Sequence, residues 1–276
     1  MKTIIFGKSV QGASHKRTNT ECQDSMKKLR LGNDTVVLTV ADGHGSKTCP
    51  YSKTGSSIAV NSFCKVMKNL YSGYSNDLET LLAYLNRDGD TKIAQLIHNE
   101  WKNRVISTHK QKNRAIPKTE DGNLDEIEVY KLYGTTLVGV FITPLFSFAL
   151  QIGDGDITFV DDSGARPFLN SDKILGTETH SLSKVDAWKK AITVVYRNEL
   201  FHNESSLLML STDGFSNSFK NEDEFKKACV DYYSMIQQHG AEEIKNNLQA
   251  WLDETSELGC GDDITLLLAY SQVEKV

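Results

Sequence analysis

Four short apolar runs in this chain each abut a cluster of aspartate and glycine, a pattern that calls for a fold in which several strand ends meet. Residues 35–40 (TVVLTV) lead into Ala41-Asp-Gly-His-Gly45, and residues 146–152 (FSFALQI) lead into Gly153-Asp154-Gly155-Asp156. Residues 207–210 (LLML) pass through Ser211-Thr212 to Asp213-Gly214. The fourth copy is inverted, with Gly259-Cys-Gly-Asp-Asp263 preceding the apolar run 264–269. In a sheet with antiparallel neighbours, the end of one strand and the start of the next lie at the same edge, so four acidic clusters are expected to converge there. A single Asp-Gly would read as a hairpin turn. Four packed carboxylates repel one another, and divalent cations are the usual compensation. Aspartate suits hard ions such as Mg²⁺ or Mn²⁺, glycine lets backbone approach a ligand, and a histidine such as His44 titrates near neutral pH.

The 276 residues, 39% hydrophobic and 24% charged, are enough for a large core. One domain is expected, because the candidate residues run from 23 to 265 and any cut would divide them. A net charge of −5 with no large basic cluster argues against nucleic acid as a partner. Cysteines 22, 49, 64, 229 and 260 are odd in number and lack metal-site spacing, so they read as reduced thiols in a cytoplasmic compartment. Only three consecutive strongly apolar residues stand near the start, too few for a signal peptide, and no segment approaches the ~20 apolar residues of a membrane span. No membrane partner is therefore expected.

Helical spacing joins Ile58, Ala59, Phe63, Val66, Met67 and Leu70, and again Ile93, Leu96, Ile97, Trp101 and Val105. A third stripe, Phe225, Ala228, Cys229, Tyr232 and Ile236, follows Asn221 and Glu224 in a capping arrangement, and Ile244, Leu248, Trp251 and Leu252 form a fourth. Trp101 and Trp251 read as core. Strand-like runs fall at about 35–41, 136–142, 147–153, 156–160, 191–196, 206–211 and 264–270. Polar stretches at about 107–129 and 161–185 read as loops.

The motifs, in order, resemble those of the metal-dependent serine/threonine phosphatases of the protein phosphatase 2C type, in a bacterial branch. Gln23-Asp24 is similar to the early acidic pair, Ala41-Asp-Gly-His-Gly45 to the Asp-Gly-His-Gly box and Gly134-Thr135-Thr136 to the Gly-Thr-Thr strand start. Gly153-Asp154 resembles the Gly-Asp-Ser box, Ser211-Thr-Asp-Gly214 the Ser-Asp-Gly box, and Gly261-Asp262-Asp263-Ile264-Thr265 the terminal Asp-Asn-Ile-Thr box. The resemblance implies an α+β fold: an αββα four-layer sandwich with two central, mainly antiparallel sheets flanked by helix pairs. It would form a single catalytic domain over residues 1–276 with a flap-like loop at about 161–185.

It also implies the chemistry. Asp42 would bridge two Mg²⁺ or Mn²⁺ ions, Asp213 and Asp262 would complete one, and the Gly43 carbonyl and Gln23 would serve the other. Asp154 would hold a weaker third ion, Asp24 would orient a water, and His44 would protonate the leaving serine or threonine oxygen. Three positions depart from the pattern. Gln23 replaces a glutamate, Asp263 replaces an asparagine, and Asn19 stands five residues before Asp24 where the family has an arginine. His15 or Arg17, in Ser14-His-Lys-Arg-Thr-Asn19, is left to meet the phosphate. The implied substrate is a phosphorylated protein, the implied counterpart a cognate Ser/Thr kinase system. Two rival readings are a pseudophosphatase that binds without turnover and a phosphatase for small phosphate esters.

Overall fold

The computed structural model describes residues 2–32, 34–169, 180–197 and 205–272. In chain order these form β1 (Lys2–Val10), α1 (Ala13–Thr18), β2 (Ser25–Arg30), β3 (Val36–Ala41), α2 (Ser52–Tyr74), α3 (Leu78–Asp88) and α4 (Ala94–Gln111). Then come α5 (Glu126–Lys131), β4 (Leu137–Ile142), β5 (Phe146–Ile152), β6 (Asp156–Asp161), β7 (Gly164–Pro167) and β8 (Ile192–Arg197). The last are β9 (Ser206–Ser211), α6 (Asp213–Ser216), α7 (Glu222–His239), α8 (Ala241–Leu258) and β10 (Ile264–Gln272).

The strands make two five-stranded sheets, ordered β1-β10-β9-β6-β7 and β2-β3-β4-β5-β8, with every pairing antiparallel. Every residue of β3, β4, β5 and β9 is buried, as expected of continuous apolar runs covered on both faces. Alternation along β3 sorts its side chains. Val36, Leu38 and Val40 face the second sheet, packing with Ile157, Phe159, Leu208, Leu210 and Leu267. Val37 and Ala41 face α2 to α4, joining Phe63, Met67, Leu85 and Trp101. On the far side, Leu207, Met209, Leu266 and Leu268 meet Phe225, Tyr232, Ile244 and Leu248 of α7 and α8. The result is the αββα sandwich.

The periodic helices form where expected, and Asn221 caps α7 by accepting from the Glu224 N–H at 2.9 Å. Trp101 is fully buried, its Nε1–H donating to the Gly55 carbonyl at 3.1 Å. Trp251 is half-buried against the core, while Leu96 turns outward at 47% exposure.

Both supposed loops need correction. The stretch 107–129 begins inside α4 and ends inside α5; buried His109, bonded to the Tyr133 hydroxyl and the Ala115 carbonyl, lets a charged segment pack. The stretch 161–185 opens as a hairpin, because Asp161 Oδ1 accepts from the Ser163 N–H and Gly164 adopts φ +114°, closing a tight turn into β7. Part of the flap-like loop, residues 170–179, lies outside the described residues. Strands β1 and β2 were not expected. They are the outer strands of their sheets, and Lys27, Lys28 and Arg30 mask the apolar signal of β2.

Candidate active site

The acidic clusters converge, but across two sheets rather than along one edge. In one sheet, Val40 pairs with Val138 and Leu137 with Ile152, so the end of β3, the start of β4 and the end of β5 share an edge. In the other, Ser211 pairs with both Leu266 and Asp156, which aligns the end of β9 with the starts of β10 and β6. The two edges face each other. Asp42 comes from the first, with Asp24 beside it through the Ser25–Ala41 pair, while Asp213 and Asp262 come from the second.

Asp42 is fixed through its backbone. Its carbonyl accepts from Thr135 Oγ1–H at 2.6 Å and from the Thr136 N–H at 2.8 Å, and its own N–H donates to Thr136 Oγ1 at 3.0 Å. The Gly-Thr-Thr segment is thus the bracket for the Asp-Gly-His-Gly turn. Gly43 is buried in an isolated bridge to Thr135. Asp24 is 1% exposed, and its Oδ2 accepts from Thr212 Oγ1–H at 2.6 Å, a bond that spans the two sheets.

Electrostatics show how closely these groups sit. Burial drives the Asp42 carboxyl well above the usual carboxylate range, and the charges of Asp24, Asp213 and Asp262 push it further. Burial likewise raises Asp24 to about 7 against the lowering hydrogen bond from Thr212, with the charge of Asp263 adding to the rise. A buried carboxylate group that cannot ionise comfortably is what a cation would relieve. Two buried oxygens point the same way: among the described residues, nothing donates a hydrogen bond to Gln23 Oε1 or Asp24 Oδ1. Gly45, at φ +61°, makes room for the first, since a Cβ there would fall 2.2 Å from Gln23 Oε1. The donor set therefore fits hard divalent ions.

Asp263 has a different task from Asp262. Its Oδ1 accepts from the Gly12 N–H at 2.7 Å and from His15 Nδ1–H at 2.9 Å, and its Oδ2 accepts from the Gln23 N–H at 2.7 Å. Asp262 is exposed and acts on Asp42. Of the two neighbours, Asp262 is the one left to face a cation, although ligand atoms of His15, Asp262 and Asp263 all lie within 4.8 Å of one another. His15 is thereby held by a carboxylate. Arg17, on the same short helix, is exposed with its guanidinium beside Gly261.

His44 is half-buried, its backbone N–H donating to the Gly134 carbonyl at 3.2 Å, and it lines a cleft of about 420 Å³. Asp154 follows β5 in a turn held by Gln151 Nε2, which donates to the Gly153 and Gly155 carbonyls at 2.9 and 2.8 Å. It is not among the charges that act most on Asp42.

A profile of the protein phosphatase 2C family matches residues 11–253. The chain belongs to the protein phosphatase 2C family. It is thus an enzyme of the protein serine/threonine phosphatase class. No curated protein sequence matches it. Among solved structures, it is similar to a bacterial serine phosphatase at 15% identity over 100% of both chains, with a TM-score of 0.64. The serine/threonine phosphatase of S. agalactiae is similar at 16% identity over 98% of this chain and 100% of that one, with a TM-score of 0.59. The catalytic domain of the phosphatase PstP, solved with two manganese ions, is similar at 13% identity over 97% of each chain, with a TM-score of 0.55.

Within this protein phosphatase 2C fold, the three departures acquire local explanations. Asn19 ends α1 in the left-handed conformation, φ 55°, which asparagine tolerates better than arginine. Asp263 can accept three bonds at once because it carries two acceptor oxygens. Gln23 keeps its carbonyl oxygen in the buried site without adding a charge. Two residues escaped the sequence reading. Thr212 stood inside a recognised motif but its cross-sheet bond to Asp24 is visible only in space, and Lys53, at the start of α2, donates to the Asp24 carbonyl at 2.6 Å.

Proposed function

We propose that this phosphatase hydrolyses phosphoserine and phosphothreonine in proteins at a binuclear Mg²⁺ or Mn²⁺ centre. The observation that carries this reading is the convergence of Asp24, Asp42, Asp213 and Asp262 from two sheets, close enough for their charges to raise the Asp42 pKa. The two manganese ions of PstP support the same stoichiometry. Asp42, Asp213 and Asp262 would hold one ion, Asp42 with the Gly43 carbonyl and Gln23 Oε1 would hold the other, and Asp154 would hold a weaker third. When bound, such ions lower the pKa of a coordinated water and neutralise charge on the phosphoryl oxygens.

The chain's own groups do the rest. Asp24 Oδ1 accepts a hydrogen bond from the attacking water and so orients it. As the water oxygen bonds to phosphorus and the bond to the serine or threonine oxygen breaks, His44 gives that oxygen a proton, leaving a neutral alcohol and inorganic phosphate. Arg17 meets the phosphate dianion, since His15 is occupied by Asp263 whereas the exposed Arg17 guanidinium, beside Gly261, pairs with no carboxylate among the described residues.

The substrate class implies a source, because a phosphoserine or phosphothreonine protein is made by a protein kinase. A cognate Ser/Thr kinase system is therefore assigned as the counterpart. No described helix is long and apolar enough to cross a membrane, and all five cysteines are free, which supports a cytoplasmic assignment. The test is turnover of a phosphothreonine peptide before and after rigorous chelation. Activity that vanishes with EDTA and returns with Mn²⁺ or Mg²⁺ is expected; full activity in the stripped protein would overturn the two-metal reading.

A further inference from the structure

The cleft of about 420 Å³ that opens at His44 has an apolar character that hydrolysis of the phosphate itself does not need. Ile127 on α5 forms one side and Val185 the other, and these are 48% and 53% exposed despite being large aliphatic residues. Lys131 and Lys184 also line it, and no acidic residue does among the described residues. Lys131 shares its charge with Glu128, which lies outside the cleft.

Both walls are fixed. The 181–185 side is anchored where buried Leu182 donates its N–H to the Thr135 carbonyl at 2.9 Å and accepts at its own carbonyl from buried His98 Nε2 at 2.9 Å. Burial lowers the His98 pKa to about 4, so the ring stays neutral and the anchor holds near neutral pH. On the opposite side, Val129 and Tyr130 sink α5 into the core, and the Tyr51 N–H grips the Leu132 carbonyl at 2.9 Å. Aliphatic surface held open by a rigid frame marks a place where another apolar group is received.

We infer that this cleft receives an aliphatic side chain flanking the phosphorylated residue of a protein substrate, and that it selects against basic residues there. The inference rests on the proposed phosphatase reaction. With the phosphate over Asp42 and its leaving oxygen at His44, the adjoining polypeptide must pass along the space that begins at His44, which is this cleft. A small phosphate ester has no group to place in it. An aliphatic neighbour would cover Ile127 and Val185, whereas a lysine or arginine would meet Lys131 and Lys184.

The experiment compares kcat/KM for phosphothreonine peptides carrying Leu, Gly or Lys at the positions on either side of the phosphothreonine, with Mn²⁺ present. Affinity for matching peptides bearing a non-hydrolysable phosphonate is measured alongside, so that binding is read apart from turnover. Leu should exceed Gly by about 5- to 10-fold on one side, the lower end for an apolar pocket because this one is half open, and Lys should rank last. The Leu-to-Gly ratio should fall towards one in Val185→Ser and in Ile127→Ser, both partly exposed positions that tolerate a polar side chain. Equal rates for Leu and Gly on both sides, or a Leu preference that survives both substitutions, would overturn the inference. Wild-type hydrolysis of p-nitrophenyl phosphate separates the cases: turnover there without a peptide preference removes only the cleft assignment, while no turnover of any phosphoester removes the phosphatase reading beneath it.

Discussion

At the scale of single residues, carboxylates and an imidazole are divided between structure and chemistry by what each is bonded to. Asp263 is consumed by two backbone N–H groups and His15, whereas Asp42 is gripped through its backbone by Thr135 and Thr136, and its carboxyl lies beside that of Asp24 in the centre. His44→Ala should lower kcat for a phosphoserine peptide by roughly 10²–10⁴ and cost far less on p-nitrophenyl phosphate, whose leaving group needs little protonation. Equal losses on both substrates would assign His44 to the scaffold. Arg17→Ala should raise KM for a phosphopeptide with Mn²⁺ retention unchanged, and His15→Ala should act instead through loosening of its segment, read as a lower melting temperature. The raised carboxyl pKa values give a pH prediction for the metal-free protein. A group whose pKa rises on folding, as Asp24 does from 3.8 to about 7, favours the fold when protonated, so its contribution is present at low pH and is lost as pH climbs to about 7. His98, lowered from 6.5 to about 4, acts in the opposite sense, so the informative quantity is a difference. With EDTA present, Asp24→Asn should melt higher than wild type at pH 8, and the gap should close towards pH 5.

At the scale of elements, the site depends on short connectors clamped by longer ones. The segment between β1 and β2 is pinned by Asp263 at both Gly12 and Gln23, and by Ser14 Oγ–H donating to the Gly261 carbonyl at 2.5 Å. Asp263→Ala would leave two partly or fully buried N–H groups without acceptors, a loss of about 2–4 kcal/mol in unfolding free energy that denaturant titration can measure. Much of this level was legible beforehand. The strands that carry the Asp-Gly clusters are predominantly apolar runs, and their burial on both faces is why composition exposed them. Helix α3 was equally readable, since Leu78, Leu81, Leu82 and Leu85 lie at helical spacing behind Asp77, which caps it by accepting from the Thr80 N–H at 3.0 Å, yet it passed unnoticed. Edge strands β1 and β2 were hidden for a physical reason: a strand with one exposed side mixes lysine and arginine into its pattern. The clamp by Asp263 and the bridge from Thr212 to Asp24 join residues 240 and 188 positions apart, a kind of relation that local periodicity does not encode.

At the scale of the whole molecule, the two sheets are held face to face by an apolar layer while their acidic ends repel at one end of it. Ion binding should therefore stabilise the entire fold. Saturating Mn²⁺ at about 100 times its dissociation constant should add about 2.7 kcal/mol and raise the melting temperature, and Asp213→Asn should weaken that rise. An unchanged melting temperature would show that the acidic ends hold no ion. The pairing of β1 with β10, in which Lys2 lies opposite Gln272, has a consequence in time. A chain made from its amino terminus forward can lay down β2 to β5 and the helices over them early, yet β1 has no partner until β10 emerges. Asp262 and the Asp263 clamp arrive only just before that strand. The reaction centre therefore stays unassembled until Asp262 and Asp263 have been made, and hydrolytic competence comes with the pairing of β10.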